Sequence, residues 1–223
     1  MRSAYQLFPV AAASLILAAS LPACSSTGIA LRERLGIPKR EQLVDRVDDA
    51  REAQEKAKQQ FASTLDEFRA ITGIEPGDLE KRYRALANEL EDSEDRAKAV
   101  RERIADVQRV GAALFKEWEK ELDAYEDAAL RRRSADQLER TRDRYEQLVA
   151  AMERAAATMD PVLARFRDQV LFLKHNLNAR ALASLEGTVT ELEGEIARLI
   201  DEMNASIAEA EAFIETMSEA PSA

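Results

Sequence analysis

The most regular feature of the sequence is a run of uncharged residues spaced alternately four and three positions apart, with mostly charged residues between them. The run comprises Leu79, Tyr83, Leu86, Leu90, Ser93, Ala97, Val100, Ile104, Val107, Gly111, Leu114 and Trp118. A repeat of about 3.5 residues predicts a long helix that supercoils around its neighbours, whereas a globular surface helix would show a broader stripe. Because Ser93, Ala97 and Gly111 are small, we expect a neighbouring helix to approach closely there.

Three further segments carry the same repeat, and we call the four sets of positions seams 1 to 4 in chain order, the run above being seam 2. Seam 1 comprises Leu43, Val47, Ala50, Gln54, Ala57, Phe61, Thr64, Phe68 and Ile71. Seam 3 comprises Leu138, Thr141, Tyr145, Leu148, Met152, Ala155, Met159, Val162, Phe166, Gln169 and Leu173. Seam 4 comprises Leu182, Leu185, Val189, Leu192, Ile196, Leu199, Met203, Ser206, Ala210 and Phe213. The four seams predict an all-α fold in which long helices pack through these positions.

Helix-breaking and capping residues divide the chain between the seams. Residues 72–78 contain two glycines and a proline, and Asp78 is well placed to cap the second helix. Ser134 and Gln137 have the spacing of a capping box, which predicts that the third helix begins there, after a separating segment at 128–133. Pro161 lies inside seam 3 and predicts a kink, not an end, because it removes one backbone hydrogen bond.

The junction between the third and fourth helices leaves two interpretations open. The phase of the repeat slips between Leu177 and Leu182, Lys174 and His175 suit a helix C-terminus, and Asn178 suits a new N-cap. One continuous helix with a rotated face is the alternative. With a turn, the prediction is a long antiparallel coiled coil, an elongated four-helix bundle, from which the second and third helices protrude as a helical hairpin.

The first 23 residues have the pattern of an export signal. Arg2 is their only charge, and the apolar run over residues 7–21 is too short to span a bilayer comfortably. The run ends in Leu-Pro-Ala-Cys at 21–24, which resembles the lipobox of bacterial lipoproteins and implies cleavage before Cys24 and acylation of its thiol. A plain signal peptide is the alternative, although Leu21 fits small-x-small cleavage poorly. Ser25 stands where Asp retains Gram-negative lipoproteins at the inner membrane, so the resemblance implies sorting to the outer membrane.

Composition supports this organisation and excludes several classes of protein. Of 223 residues, 33% are charged and 5% aromatic, which suits long helices and not a sheet. Without Arg2 the chain has 31 basic and 42 acidic residues, a net charge of −11, and this acidity argues against nucleic-acid binding. Cys24 is the only cysteine, so no disulfide forms within the chain. We therefore predict a signal peptide (1–23), a lipidated polar tether (24–37), one coiled-coil domain (38–217) and a disordered tail (218–223).

No residue pattern in the sequence indicates catalysis. His175 is the only histidine, which excludes His-based triads and multi-His metal sites, and we interpret it as part of a helix end. Phosphate-binding loops, CxxC pairs and nucleophile elbows are absent from the sequence. We therefore predict that the protein is not an enzyme and has no metal site and no cofactor.

Arg131, Arg132 and Arg133 form the one dense cationic spot on this acidic chain, at the predicted tip of the hairpin. One interpretation is that these side chains are solvated and sit favourably near a helix C-terminus. The other is a contact with an anionic partner, such as lipid headgroups, cell-wall carboxylates or an acidic protein face. Trp118 lies in phase with seam 2, and we interpret it as a core residue.

Seven stretches of the sequence resemble an uncharacterised bacterial lipoprotein family, that of domain of unknown function 2959. They are 36–40 (GIPKR), 43–47 (LVDRV), 50–54 (AREAQ), 114–118 (LFKEW), 130–134 (LRRRS), 142–152 (RDRYEQLVAAM) and 166–180 (FRDQVLFLKHNLNAR). The resemblance covers about residues 36–214, and its most specific part is 175–180. It implies an exported, lipid-anchored, coiled-coil-rich protein, and it brings no catalytic residues with it.

These observations predict a shape and a location more directly than an activity. Our leading hypothesis is a lipid-anchored rod on the outer membrane, facing the periplasm, which acts as a structural scaffold or spacer and binds another envelope or cell-wall component. A chaperone-like module that binds hydrophobic clients between its helices is the alternative. Self-association of the chain is left open as well.

Overall fold

A computed structural model describes residues 25–72, 78–176 and 179–219 of the protein. The helices in these ranges are α1 (Ser25–Arg34), α2 (Lys39–Thr72), α3 (Leu79–Leu122), α4 (Ala128–His175) and α5 (Ala179–Glu219). No strand occurs in the described ranges, and the predicted all-α class is confirmed. Cys24 and the predicted export signal lie outside the described residues.

Helices α2 to α5 form a four-helix bundle, in which α2 and α4 each pack against both α3 and α5. Bonds between α2 and α5 show the direction of packing. Lys58 Nζ donates to Asn204 Oδ1 at 3.0 Å, and farther along α2, Arg69 Nε donates to Glu193 Oε1 at 2.8 Å. The partner number falls as the α2 number rises, so these helices run antiparallel. α4 and α5 run antiparallel as well, because Arg144 bonds to Thr216 whereas Arg165, farther along α4, pairs with Glu195. The chain therefore turns between α4 and α5, and the alternative of one continuous helix is wrong.

The core of the bundle is built from the four seams. Every member of seam 1 is buried, and in the other seams only Tyr83, Trp118, Tyr145 and Gln169 are partly exposed among the described side chains. Residues beside the seams are buried too, namely Gln42, Leu65, Val110, Phe115, Ala151, Ala156, Leu163, Val170 and Met217. Each helix of a four-helix bundle contacts two neighbours, so its buried face is wider than two positions per heptad.

Two buried polar pairs interrupt the apolar core. Gln54 Nε2 on α2 donates to Ser206 Oγ on α5 at 2.9 Å, and the Ser206 hydroxyl lies 3.0 Å from Gln54 Oε1. Thr64 Oγ1 on α2 lies 2.8 Å from Ser93 Oγ on α3. All four side chains are fully buried, so these bonds satisfy groups that water does not reach and favour one register of α2 on its neighbours.

The beginning of α4 differs from the prediction. The helix begins at Ala128, and Asp127 is its N-cap: the Asp127 carboxylate accepts from backbone N–H groups two and three residues on, at 2.7 and 3.1 Å. Ser134 lies inside α4, where its Oγ accepts from Trp118 Nε1 at 2.9 Å across the hairpin. The predicted capping box is therefore wrong, because the extended backbone of Asp127 caps the helix earlier and Ser134 bonds to the indole instead.

The other predicted boundaries agree with the structure more closely. α3 begins at Leu79, and Asp78 occupies its N-cap position, although its side chain makes no capping bond. α4 continues through Pro161, so this proline does not end the helix. The bundle therefore consists of helices that are unbroken over nearly its full length.

The segment 24–37, predicted as a polar tether, contains α1 and a turn. Gly36, whose φ of 85° suits glycine, lies in this turn, and α1 packs on α2. Gln42 Nε2 near the start of α2 donates to the carbonyl oxygens of Ile29 and Ile37 at 3.3 and 2.9 Å. This part of the chain therefore folds against the end of the bundle and does not extend away from it.

Candidate functional site

α3 and α4 extend beyond the other helices at one end of the bundle. Near that end Lys39, the first residue of α2, pairs with Glu117 of α3 at 2.9 Å. Arg40 donates to the carbonyl oxygen of Met217, close to the end of α5. α3 and α4 continue past this level and are joined by the turn that follows α3. The predicted hairpin is therefore present, and we call residues 123–133 the hairpin tip.

The three predicted contact residues lie on the hairpin tip. Arg131, Arg132 and Arg133 are all exposed in the first two turns of α4. Arg131 Nη2 pairs with Asp123 Oδ1 at 2.9 Å, whereas neither Arg132 nor Arg133 forms an ion pair with any described residue. The interpretation that set these charges near the C-terminus of their helix is wrong, because they lie in the first two turns of α4, close to its N-terminus.

The hairpin tip contains as many acidic side chains as arginines, but not all of them are paired with each other. Asp123 is bound to Arg131, and Asp127 caps α4, where the helix N-terminus already balances its charge. Glu126 is the one other carboxylate between 123 and 133. The three carboxylates equal the three arginines in number, so the hairpin tip has no formal net charge on a chain whose formal net charge is −10.

Large apolar side chains are exposed at the same end of the molecule. On the hairpin tip, Tyr125 and Leu130 are 40% and 48% exposed, and on α1 and its turn Leu31 and Leu35 are 56% and 73% exposed. The predicted lipidation site, Cys24, directly precedes α1 in the sequence. Because α1 packs on the start of α2, the structure brings the beginning of α1 and the hairpin to one end of the bundle.

A group of ion pairs holds the base of the hairpin to α1 and α2. Lys39 Nζ lies 2.7 Å from Glu33 and 2.9 Å from Glu117. Partial burial lowers the pKa of Lys39, but the bonds to the two carboxylates outweigh this effect and hold its pKa above the ordinary value. An open groove lies beside this group, at the level where α2 begins and α3 continues past it. It is lined by Lys39, Ala113, Lys116, Glu117, Lys120, Glu121 and Ala124.

The opposite end of the bundle carries another exposed apolar pair. Leu171 and Phe172, near the end of α4, are 57% and 42% exposed. His175 is the last residue of α4, and Asn176 is its C-cap. The backbone N–H of Asn176 donates to the carbonyl oxygen of Leu173 at 3.1 Å, and Asn176 Nδ2 donates to the carbonyl oxygen of Phe172 at 2.9 Å. His175 is thus at a helix end, as interpreted. Within the described part of the chain, no three His, Cys, Asp or Glu residues are grouped so that they could hold a metal ion.

The long helices of the bundle belong to a region of the chain that matches a known protein family. A family model described as protein of unknown function (DUF2959) matches residues 29–217, which contain the whole four-helix bundle apart from the last residues of α5. The chain belongs to the DUF2959 family. The resemblance found in the sequence is therefore confirmed. No curated protein and no solved structure matches the chain.

The described helices of the DUF2959 chain all carry charged residues. None of them is long and apolar enough to cross a bilayer. The exposed apolar side chains at the hairpin end are instead single residues beside charged ones.

Tyr125 and Leu130 are the site residues that the sequence analysis missed. The sequence did contain a signal for Leu130. If seam 3 is continued towards the N-terminus by spacings of four and three from Leu138, it passes through Ser134 and Arg131. Leu130 is out of phase with that repeat, which places it away from the buried stripe. Tyr125 lies in the turn before Asp127, where no helical repeat indicates whether a side chain is buried or exposed.

Proposed function

We propose that this protein is a lipid-anchored spacer of the bacterial envelope, held to the outer membrane through Cys24 and facing the periplasm. One observation supports this most: all six large apolar side chains that are exposed among the described residues lie at the two ends of the bundle. Between the ends, the seams are buried and the flanks are mainly charged. A rod whose apolar contacts lie at its ends is suited to holding two structures a set distance apart.

The length and cross-bonding of the bundle suit this role. α4 has 48 residues, which at 1.5 Å per residue corresponds to about 72 Å. Side-chain bonds join neighbouring helices along the bundle, such as Gln108 to Glu153 at 2.7 Å and Arg82 to Glu67 at 3.3 Å. Each exposed bond contributes little stability, but together with the buried polar pairs they oppose sliding of one helix past another. The filled seams count against the client-binding alternative, because a client would need space between the helices.

Acylation at Cys24 is tested by feeding labelled fatty acid to cells that make the protein. The wild type should incorporate the label and Cys24→Ala should not, because the acylated thiol is the attachment point. Ser26→Ala, in the same segment, is the matched control and should label as the wild type does. Equal labelling of the wild type and Cys24→Ala would contradict the lipid anchor.

The spacer role is tested by photo-crosslinking in living cells from single positions that carry a photoreactive amino acid. Phe172 lies at the end remote from the hairpin, and the exposed Ala150 in the middle of α4 is the matched control. A spacer should give a crosslinked envelope protein from position 172 and none from position 150. Equal crosslinking from both positions, or from position 150 alone, would contradict a role carried by the ends of the rod.

A further inference from the structure

We propose that the hairpin tip is a membrane contact, which binds the anionic headgroups of phospholipids in the same leaflet that holds the lipid anchor. This inference rests on the proposed anchoring through Cys24. α1 has ten residues, a length of about 15 Å, and it ends two residues before Gly36, at the hairpin end of the bundle; Cys24 directly precedes α1 in the sequence. An acylated Cys24 therefore brings this end of the molecule close to the bilayer surface.

The charges of the hairpin tip fit a phosphate-bearing surface. Arg132 and Arg133 are exposed and form no ion pair with any described residue. Arg131 forms an ion pair with Asp123. Guanidinium groups bind phosphate oxygens through two parallel hydrogen bonds, and cations close to an anionic leaflet are attracted within a Debye length. Because Arg132 and Arg133 have no ion-pair partner among the described residues, their guanidinium groups can bind an external anion.

The apolar residues of the hairpin tip fit the interface of a bilayer. Tyr125 has an aromatic ring with a polar end, and side chains of this kind are enriched at the level of lipid headgroups. Leu130 is about half-exposed directly beside the three arginines, so it can enter the outer part of the acyl region while the guanidinium groups remain among the phosphates. Two such side chains among charges form a small apolar surface, well below the ~800 Å² per partner of a standard protein interface, which favours a lipid surface over a protein face.

The acidic body of the bundle gives this contact a consequence for orientation. The chain has a net charge of −10, so most of its surface is repelled by an anionic leaflet, whereas the hairpin tip has no formal net charge and carries two arginines that form no ion pair with any described residue. A lipid anchor alone leaves a rod free to swing. An anchor together with a second contact at the same end holds the rod away from the bilayer and directs its other end, with Leu171 and Phe172, into the periplasm.

The contact can be measured with a fluorescent probe on the purified, lipidated full-length protein. Because Cys24 is the only native cysteine and its thiol would be acylated, Ala129→Cys supplies a single free thiol on the hairpin tip for a polarity-sensitive dye. The protein is reconstituted into phosphatidylethanolamine–phosphatidylglycerol vesicles that contain phospholipid with a nitroxide on the headgroup. We expect the dye at position 129 to be quenched, and a dye on Ala150→Cys, an exposed position farther along α4, to be unaffected.

Matched substitutions then test the arginines. Arg132→Gln together with Arg133→Gln leaves the pair between Arg131 and Asp123 intact, and it should lower the ratio of membrane-bound to free tip about thirtyfold. Arg96→Gln together with Arg154→Gln removes the same charge from exposed, unpaired positions along the bundle and should leave the quenching unchanged. Far-UV circular dichroism checks that all variants keep their helices. Quenching of the wild type should also fall in phosphatidylcholine vesicles and at high salt.

The outcomes separate this inference from the proposed anchor. If the protein carries one label per chain and the dye at position 129 remains in water, the membrane contact is overturned and the anchor is left intact. Two labels per chain show that Cys24 is free, which overturns the anchor on which the inference rests. Equal quenching in phosphatidylcholine, with no effect of the arginine substitutions, overturns recognition of anionic headgroups.

Discussion

Gly111 of α3 lies against the ring of Tyr145 on α4, and this contact accounts for the small residue in seam 2. A Cβ atom on Gly111 would lie 2.5 Å from ring atoms of Tyr145, well inside van der Waals contact. The ring has little freedom to withdraw, because it packs edge-on against Phe115 with 5.1 Å between ring centroids and lies 6.5 Å from Phe213. The close approach predicted from the sequence at this position is therefore confirmed.

The first prediction follows from this contact. Gly111→Ala should lower the free energy of unfolding by about 1–3 kcal/mol, the usual cost of overpacking a core. Gly194→Ala is the matched control, because a Cβ there meets nothing within 4 Å, and it should stabilise the protein by about 0.5–1 kcal/mol through its higher helix propensity. Urea denaturation followed by circular dichroism measures both changes. A shift of the same sign in both variants would contradict the tight contact.

The phenol of Tyr145 gives a prediction about high pH. Partial burial, followed by the nearby charges of Glu153 and Glu146, raises the pKa of Tyr145 to about 12, from an ordinary value of 10.0. Between these values the unfolded chain has already lost the phenolic proton and the folded chain still holds it. The folded state then binds more protons, so the contribution of Tyr145 to stability is lost as pH rises from about 10 to about 12.

Tyr145→Phe tests this linkage because it removes the ionisable group and keeps the ring. The free energy of unfolding of the wild type should fall more steeply above about pH 10 than that of the variant. Urea denaturation of both proteins over this range measures the difference. Parallel curves for the two proteins would show that Tyr145 titrates alike in both states.

At the scale of the elements, the buried bond between Gln54 and Ser206 links α2 to α5. Both side chains are fully buried and satisfy each other, so removing one of them leaves a polar group without a partner. Ser206→Ala should therefore lower the free energy of unfolding by about 1–3 kcal/mol. Adding Gln54→Leu should recover most of this loss, because an apolar pair needs no hydrogen bond.

A double-mutant cycle over the two positions measures their coupling by chemical denaturation. The control is Ser218→Ala, which removes a hydroxyl that is exposed and bonds only to its own helix. It should change stability by less than about 0.5 kcal/mol. Additive effects of the two substitutions in the cycle would show that the pair is not coupled.

The presence of the four long helices was predictable from the local spacing of apolar residues. The residues at which these helices begin and end were only partly predictable. Seam 1 needs nothing but its spacing to be recognised, and every one of its members is buried. The start of α4 needed more, because Ser134 and Asp127 are both good capping residues, and the choice between them depends on backbone angles and on the Trp118 indole across the hairpin. Leu163 and Val170 lie outside seam 3 and are buried only because α4 has two neighbours.

At the scale of the molecule, the path of the chain after α4 gives the fourth prediction. Ala150→Cys on α4 and Ala208→Cys on α5 are exposed positions at about the same height on neighbouring antiparallel helices. Spin labels there should lie roughly 10–25 Å apart, close to one helix spacing plus the label arms. One continuous helix would place them about 87 Å apart. Double electron–electron resonance distinguishes the two, and the pair at 129 and 150, both on α4, is the control at about 32 Å.

The sequence by itself determined the four long helices of this protein and the side of each that is buried. Those properties depend on neighbours three and four residues apart, and the spacing of Leu, Val and Ala among charges specifies them. Only the tertiary structure decided that α1 folds onto the bundle and that the start of α1 and the hairpin tip lie at one end, while Leu171 and Phe172 lie at the other. These relations join residues about a hundred positions apart, and they follow from the turns, the helix lengths and the antiparallel packing, which no local repeat encodes.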